Sequence, residues 1–264
     1  MEESLDNKIL KWINKGGFPL ELKAIKILKN IGYSIGQSIN YLDSQTNNPR
    51  EIDIMAYKYY KLNNTWLTIT LTIECKYSPD KPWIGFSSID NRFDIKDTIV
   101  HRFSNKVGKD YLNELVNDDL VKSLLLFKTE DLRCFNVTRA FSDNLDMAYS
   151  ATTSVINATQ AFVNKANKLK RIIRIFFPIV LVDGLIYNCF LNEQDEIEIK
   201  KEGMLKLITT NSFESKSFNF IDIISLDMFE SIAKQYYNEF EIIYNKIKEI
   251  RDIEEQFISD IYDE

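Results

Sequence analysis

Apolar and polar residues alternate through Trp66-Leu67-Thr68-Ile69-Thr70-Leu71-Thr72-Ile73-Glu74-Cys75-Lys76. Successive side chains of a β-strand point to opposite faces. Leu67, Ile69, Leu71, Ile73 and Cys75 therefore form one apolar face, while Glu74 and Lys76 end the other face, one pleat apart. Residues 50–58 alternate in the same way, with Ile52, Ile54 and Ala56 on one side and Glu51, Asp53, Met55 and Tyr57 on the other. Antiparallel pairing of these two strands can set Asp53 beside Glu74. Two close carboxylates repel unless a cation sits between them. A divalent ion does this, and Mg²⁺ (or Mn²⁺) favours one or two carboxylates completed by water and phosphate oxygens. The expected metal ligands are Asp53 and Glu74, with the Lys76 ammonium on the same cleft. His101 is the single histidine, which leaves little room for Ser-His-Asp catalysis and excludes HExxH zinc sites and multi-histidine metal sites.

The elements that must position these residues are also legible. Residues 18–31 have helical spacing, with Leu22, Ile25 and Leu28 on one stripe and Gly32 as terminator. Strands follow over 33–41, 50–58 and 66–76, separated by a turn-rich run from Asp43 to Pro49 and a turn at Leu62-Asn63-Asn64. The pattern over 84–145 is weak: helical pieces within 94–117 and strands near 121–127 and 133–139 are expected. Residues 146–170 read as a helix with Ala151, Val155, Ala158, Phe162, Ala166 and Leu169 on one stripe, small enough to pack closely on a sheet. Asp183-Gly184 predicts a hairpin joining strands 172–182 and 185–191, with two or three short strands to Ile224. From Phe229 to Ile261 apolar positions alternate by four and three, broken at Glu254. That stripe either covers its own domain or forms a homodimer coiled coil.

Asp53 followed by Glu74-Cys75-Lys76 at the end of the next strand resembles the PD-(D/E)XK nuclease superfamily, which includes type II restriction enzymes and Holliday-junction resolvases. The resemblance covers residues 18–80 by motif and 146–182 by topology. Pro49 lies four residues before Asp53 rather than next to it. The resemblance implies an α/β, restriction-endonuclease-like core: a helix, a mixed β-meander, a helix and a strand. It implies that Asp53 and Glu74 ligate Mg²⁺ or Mn²⁺ and that Lys76 positions or activates the attacking water. In many members an acid on the first helix joins the site, and Glu21 is the matching position; the alternative for Glu21 is a first-turn charge favoured by the helix dipole. The implied activity is phosphodiester hydrolysis in nucleic acid, DNA being the expected substrate, in a setting such as bacterial genome defence. The alternatives are a cross-strand ion-pair network of Asp53, Glu74, Lys76 and Arg50, a degenerate fold serving as a regulator, or an effector nuclease silent until a partner acts.

Other residues carry two readings each. Glu51 shares the face of Asp53 but suits a solvated strand position. Gln160 and Lys165 either border the site or lie on the surface, and His101 suits a surface or polar-contact role. Trp83 and Phe86 either stack on a base or pack in the core. Lys81, Arg92, Lys96 and Arg102 are candidates to meet phosphates.

The net charge of −6 is uneven: residues 184–264 carry 8 basic and 18 acidic side chains, whereas residues 1–183 are slightly basic. The acidic third is therefore expected to avoid the phosphate backbone or to engage a protein. The expected division is a core over 1–183, a β extension over 184–225 and a long amphipathic helix over 226–264. No apolar run reaches the roughly 18 residues of a membrane span, the start MEESLDNKIL lacks a signal-peptide pattern, and three widely spaced cysteines fit a reducing compartment. A cytoplasmic protein with no membrane contact is expected.

Overall fold

The computed structural model describes residues 3–43, 46–89, 94–129, 131–142, 147–169, 172–210 and 218–262. The chain opens with α1 (Leu5–Lys15) and α2 (Phe18–Ile31), followed by the strands β1 (Ser34–Leu42), β2 (Pro49–Leu62) and β3 (Thr65–Tyr77). Gly32, at φ 116°, ends α2 in a conformation that costs a residue with a Cβ. These three strands form the expected antiparallel meander. The expected helix over 18–31 is present, but its buried stripe is Leu20, Ala24, Ile25 and Leu28, and Leu22 is exposed.

The region of weak pattern holds β4 (Trp83–Ile89), α3 (Ile95–Val100), the short β5 (Phe103–Ser104), α4 (Lys106–Leu115), α5 (Asp119–Ser123) and β6 (Leu132–Arg139). The strand expected near 121–127 is instead the end of α5 and a turn. Asp118 caps this helix by accepting from Val121 N, which favours helix over an extended start. Then come α6 (Met147–Ala166), β7 (Ile172–Asp183), β8 (Ile186–Leu191), β9 (Ile197–Glu202), β10 (Met204–Thr210), β11 (Phe218–Ser225) and α7 (Leu226–Tyr262).

Among the described residues eleven strands join one mixed sheet, in the order β1-β2-β3-β7-β11-β10-β6-β4-β8-β9, with β5 paired to β7. Strands from residues 184–225 thus lie in the same sheet as the first meander. The hairpin expected around Asp183-Gly184 does not form. Both edges of β7 are occupied by parallel neighbours, β3 and β11, so β8 crosses away to pair with β4 and β9. Gly184 is needed for a close approach: a Cβ there would sit 2.4 Å from the Ser78 carbonyl oxygen.

The sheet is covered on both faces, as its parallel centre requires. One face packs on α6 through Ala151, Val155, Ala158 and Phe162. The other packs on α2, α4 and α7. β3 and β7 are therefore almost wholly buried, and the Thr70, Thr72 and Glu74 side of β3 is roofed by α6 rather than solvated. The meander also twists more than simple alternation predicts. Ile54 and Ala56 belong to the α2/α7 cluster, but Ile52 belongs to the α6 cluster. The change falls at Asp53, whose β1 neighbour Ser38 has a left-handed φ of 49°.

The long C-terminal stripe covers its own domain. Phe229, Ala233, Tyr236, Phe240, Ile243 and Ile247 are all buried in the main cluster, so these positions are not a homodimer seam. Glu254 breaks the stripe because its carboxylate accepts from the Tyr111 hydroxyl at 3.2 Å. The side chains of Phe257 and Ile261 lie outside the described residues. Among those residues no helix is long and apolar enough to cross a membrane. The three cysteines are free.

Phe240 shows how strongly α7 is held. It is fully buried, edge-on to Tyr33 and stacked on Phe177. Phe240→Ala should cost about 3–5 kcal/mol of unfolding free energy, read by urea denaturation. A loss below about 1 kcal/mol would mean that α7 is not part of the core.

Candidate active site

The ladder between β2 and β3 runs from Leu62↔Thr65 to Ile54↔Ile73 and stops there. One further step of the same register would set Asp53 opposite Glu74, and the Asp53 charge is close enough to act on Glu74. Asp53 does not continue the ladder with its backbone; its Oδ2 accepts from Cys75 N at 2.7 Å. The carboxylate thus closes the edge of β3 where β2 turns away, while the opposite edge stays paired to β7 through Glu74↔Val180 and Cys75↔Leu181.

Glu74 is 6% exposed, and both its oxygens are engaged. Oε1 lies 2.6 Å from Lys76 Nζ, and Oε2 accepts from Ser154 Oγ of α6 at 3.2 Å. The buried Tyr41 hydroxyl donates to the Ser154 carbonyl at 3.4 Å and stiffens the same corner. Glu21 is half-buried in the first turn of α2, and its carboxylate makes no hydrogen bond or ion pair among the described residues, although it lies in the field of Asp53, Glu51 and Lys76.

Burial dominates the electrostatics. It holds the carboxyls of Asp53 and Glu74 above their ordinary values, and the Asp53 charge adds to the rise at Glu74. The Cys75 hydrogen bond and the Lys76 ammonium offset part of the rise at Asp53. Glu21 is raised by burial, then by Asp53 and Glu51. The Cys75 thiol is pushed up by burial and by all three carboxylates, so it is not a nucleophile at neutral pH.

Among the described residues, no group of three or more His, Cys, Asp or Glu side chains is arranged to hold a metal ion. Asp53 and Glu74 come together, and Glu21 stands near without completing a set of three. A pair of desolvated carboxylates, in which Asp53 disfavours charge on Glu74, still fits an ion that takes two protein oxygens and completes its shell with water and phosphate. Calcium-like cages of six or more protein oxygens do not fit.

Several sequence candidates lie elsewhere. Arg102 is buried: Nη2 donates to the Leu126 carbonyl at 2.6 Å, Nη1 to the Phe220 carbonyl at 3.3 Å, and its guanidinium lies over Phe177. It cannot reach a phosphate backbone. Gln160 bonds Asn164 and lines a different cleft with His101, and Lys165 is exposed on α6. Ser154 is the α6 residue that borders the carboxylates. Its sequence signal is modest, one of four hydroxyl residues in the run Ser150-Ala151-Thr152-Thr153-Ser154. Trp83 is fully buried in the core beneath α6, and Phe86 is half-buried. Arg50 pairs with Asp43 at 2.9 Å and stays out of the cluster. Glu51 is exposed, as expected of a solvated strand residue. Lys81 donates to the Phe141 carbonyl, Lys96 is exposed on α3, and Arg92 lies outside the described residues.

No protein-family model matches this chain, and no solved structure matches it. A chloroplastic ATP synthase delta chain from Spinacia oleracea is similar to it, 27% identical over 110 residues. That match covers 42% of this chain and spans about two-fifths, 41%, of the relative.

The raised carboxyls have a consequence for stability. The native state holds protons that the unfolded chain has already released, so ionising this pair costs native stability as pH rises from the ordinary carboxylate range through the raised native values. Below that range the cost is absent. Asp53→Asn keeps an acceptor for Cys75 N but removes the charge. In metal-free buffer at pH 7 it should therefore stabilise the protein by on the order of 1 kcal/mol, with the gain vanishing near pH 4. Urea unfolding across pH 4–8 reads this directly, and a variant less stable than the parent at pH 7 would contradict the buried repulsion.

Proposed function

We propose that this chain is a metal-dependent nuclease that hydrolyses phosphodiester bonds in nucleic acid, with DNA as the expected substrate and a restriction-endonuclease-like core as its scaffold. The observation that carries the reading is the convergence of Asp53, Glu74 and Lys76 where β2 leaves β3. The order α2, antiparallel meander, α6 and a parallel β7 beside β3 supports it.

Asp53 and Glu74 would hold Mg²⁺ or Mn²⁺, with Glu21 adding negative potential from α2. Such an ion neutralises charge that builds on the non-bridging phosphoryl oxygens. The chain's own groups do the positioning. Cys75 N fixes the Asp53 carboxylate, and Ser154 fixes one oxygen of Glu74. Lys76 projects from the same face as Glu74, where its ammonium can hold the attacking water in line with phosphorus and stabilise the developing charge. Burial of the carboxylates strengthens each of these contacts by excluding water.

A second reading has its own support. In the free chain Lys76 already satisfies Glu74, and Asp53 is satisfied by Cys75 N. A self-contained polar network of this kind suits a regulatory descendant of the nuclease fold. The two readings differ in metal affinity.

The test is cleavage of plasmid, linear and single-stranded DNA with Mg²⁺ or Mn²⁺, beside calorimetric Mn²⁺ binding. Lys76→Ala should lower cleavage by about 10²-fold or more while sparing Mn²⁺ binding. Asp53→Ala should remove both. Undiminished Mn²⁺ binding in Asp53→Ala, or no cleavage by the parent protein with any of these substrates, would count against the nuclease reading.

A further inference from the structure

The pairing path of the sheet ends on β1 at one side and on β9 at the other. An edge strand presents unpaired N–H and C=O groups that accept another strand unless something prevents it. β1 is blunted. Its ladder to β2 skips Ser38, whose left-handed φ of 49° interrupts the edge. β9 has no such interruption. Ile197 to Glu202 pair one-to-one with Leu191 to Ile186 of β8, and no strand among the described residues pairs with the outer side of β9.

The surface that leads to this edge is apolar and uncovered. Alternation puts Ile197, Ile199 and Lys201 on one face and Glu198, Lys200 and Glu202 on the other. Ile197 is 77% exposed and Ile199 62% exposed. The β8 register places Leu191, Cys189 and Tyr187 beside them on the same face, and the parallel β4 ladder adds Phe86 next to Cys189. Leu191 is exposed and the other three are half-buried. None of these residues belongs to a buried core, whereas Trp83 and Ile186, on the opposite face of the same strands, lie in the core beneath α6. A strand added to β9 would satisfy the open backbone groups and extend the apolar face at once.

The charges of β9 are complementary to its own copy. Take antiparallel pairing about a two-fold axis normal to the sheet at Ile199. Ile199 then lies opposite the partner's Ile199, and Ile197 lies opposite the partner's Lys201, whose methylene stem can cover it. On the other face Glu198 lies opposite the partner's Lys200, and Lys200 opposite the partner's Glu198. Shifting the register by two residues one way sets Glu198 against the partner's Glu198. The opposite shift sets Lys200 against the partner's Lys200 and Glu198 against the partner's Glu202. Parallel in-register pairing opposes like charges throughout. The charges therefore favour the register centred on Ile199 and disfavour its neighbours. Lys200 already pairs with Glu202 at 2.7 Å, and this contact survives, because the partner's Glu198 would approach Lys200 from across the seam.

We propose that β9 is the seam of a homodimer in which two copies of the sheet join edge to edge, antiparallel about Ile199, with Glu198 and Lys200 setting the register. The seam shares no residue with the Asp53–Glu74 cluster and is independent of the nuclease reading.

The experiment is sedimentation velocity with light scattering on the full chain over a range of concentrations. The parent should be a reversible dimer with a Kd of about 1–100 µM, as suits a short seam. Glu198→Lys alone and Lys200→Glu alone, each checked as folded by circular dichroism, should weaken the dimer by at least about ten-fold, because each sets two like-charged pairs across the seam. An equimolar mixture of these two variants should dimerise again, since every opposed pair is then complementary. The double variant Glu198→Lys, Lys200→Glu should dimerise by itself for the same reason, and Asp53→Asn should dimerise as the parent does. The proposal is overturned if the parent stays monomeric up to about 300 µM, if Glu198→Lys dimerises as tightly as the parent, or if the mixture of single variants remains monomeric.

Discussion

Twelve consecutive register pairs, Trp66↔Ile172 to Tyr77↔Asp183, join β3 to β7 in parallel. Parallel strands cannot be joined by a tight turn, so the chain must leave the sheet and return. Residues 78–171 make that excursion and bring α6 across one face on the way. A parallel centre must also be covered on its second face, which α2, α4 and α7 do together. The apolar run Ile175 to Val182 of β7 follows from this double burial, as does the small-residue stripe of α6, whereas β3 buries Thr70 and Thr72 between its Leu and Ile residues. Glu74 and Lys76 owe their setting to the same ladder: they sit at its C-terminal end, beyond the point where β2 has stopped pairing.

The carboxylate cluster is held against its own preference. Burial raises Asp53, Glu74 and Glu21, the Asp53 charge adds to the rise at the other two, and rigid neighbours keep Asp53 and Glu74 in place. Those neighbours are a backbone N–H, a serine hydroxyl from α6 and one ammonium. Sites destabilised in this way are where function and stability conflict.

A second polar network pairs its buried charges with opposite charges, carbonyls and backbone N–H groups, though Arg102 Nε makes no hydrogen bond among the described residues. Arg102, Lys206, Asp222, Tyr236 and Glu239 converge behind β10 and β11, with Glu239 accepting from the backbone N–H groups of Leu125 and Leu126 at 2.9 Å each. It ties α7 to the segment after α5 and to the sheet. Breaking such a network by removing one partner leaves a buried charge without its match. Arg102 was a fair candidate for a phosphate contact by type and position, yet its surroundings are aromatic rings and buried carbonyls.

The sequence by itself determined the periodic features: α2, the meander, α6, the α7 stripe, and the placing of Asp53, Glu74 and Lys76 in adjoining strands β2 and β3. Each rests on a local repeat of 2 or 3.6 residues that survives in any context. Only the tertiary structure decided the partners. Asp183-Gly184 has the chemistry of a hairpin, but both edges of β7 were taken, so the turn became a crossing point. Thr70, Thr72 and Glu74 share a polar-looking face, and a helix more than seventy residues downstream in the chain roofs it. Ile52 keeps the spacing of Ile54 yet enters a different core, because the strand twists at Asp53. Ser154 reaches Glu74 and Arg102 is sealed inside for the same reason. Side-chain alternation is set by neighbouring peptide units, whereas pairing, burial and charge environment are set by residues distant in the chain that compete for the same surface.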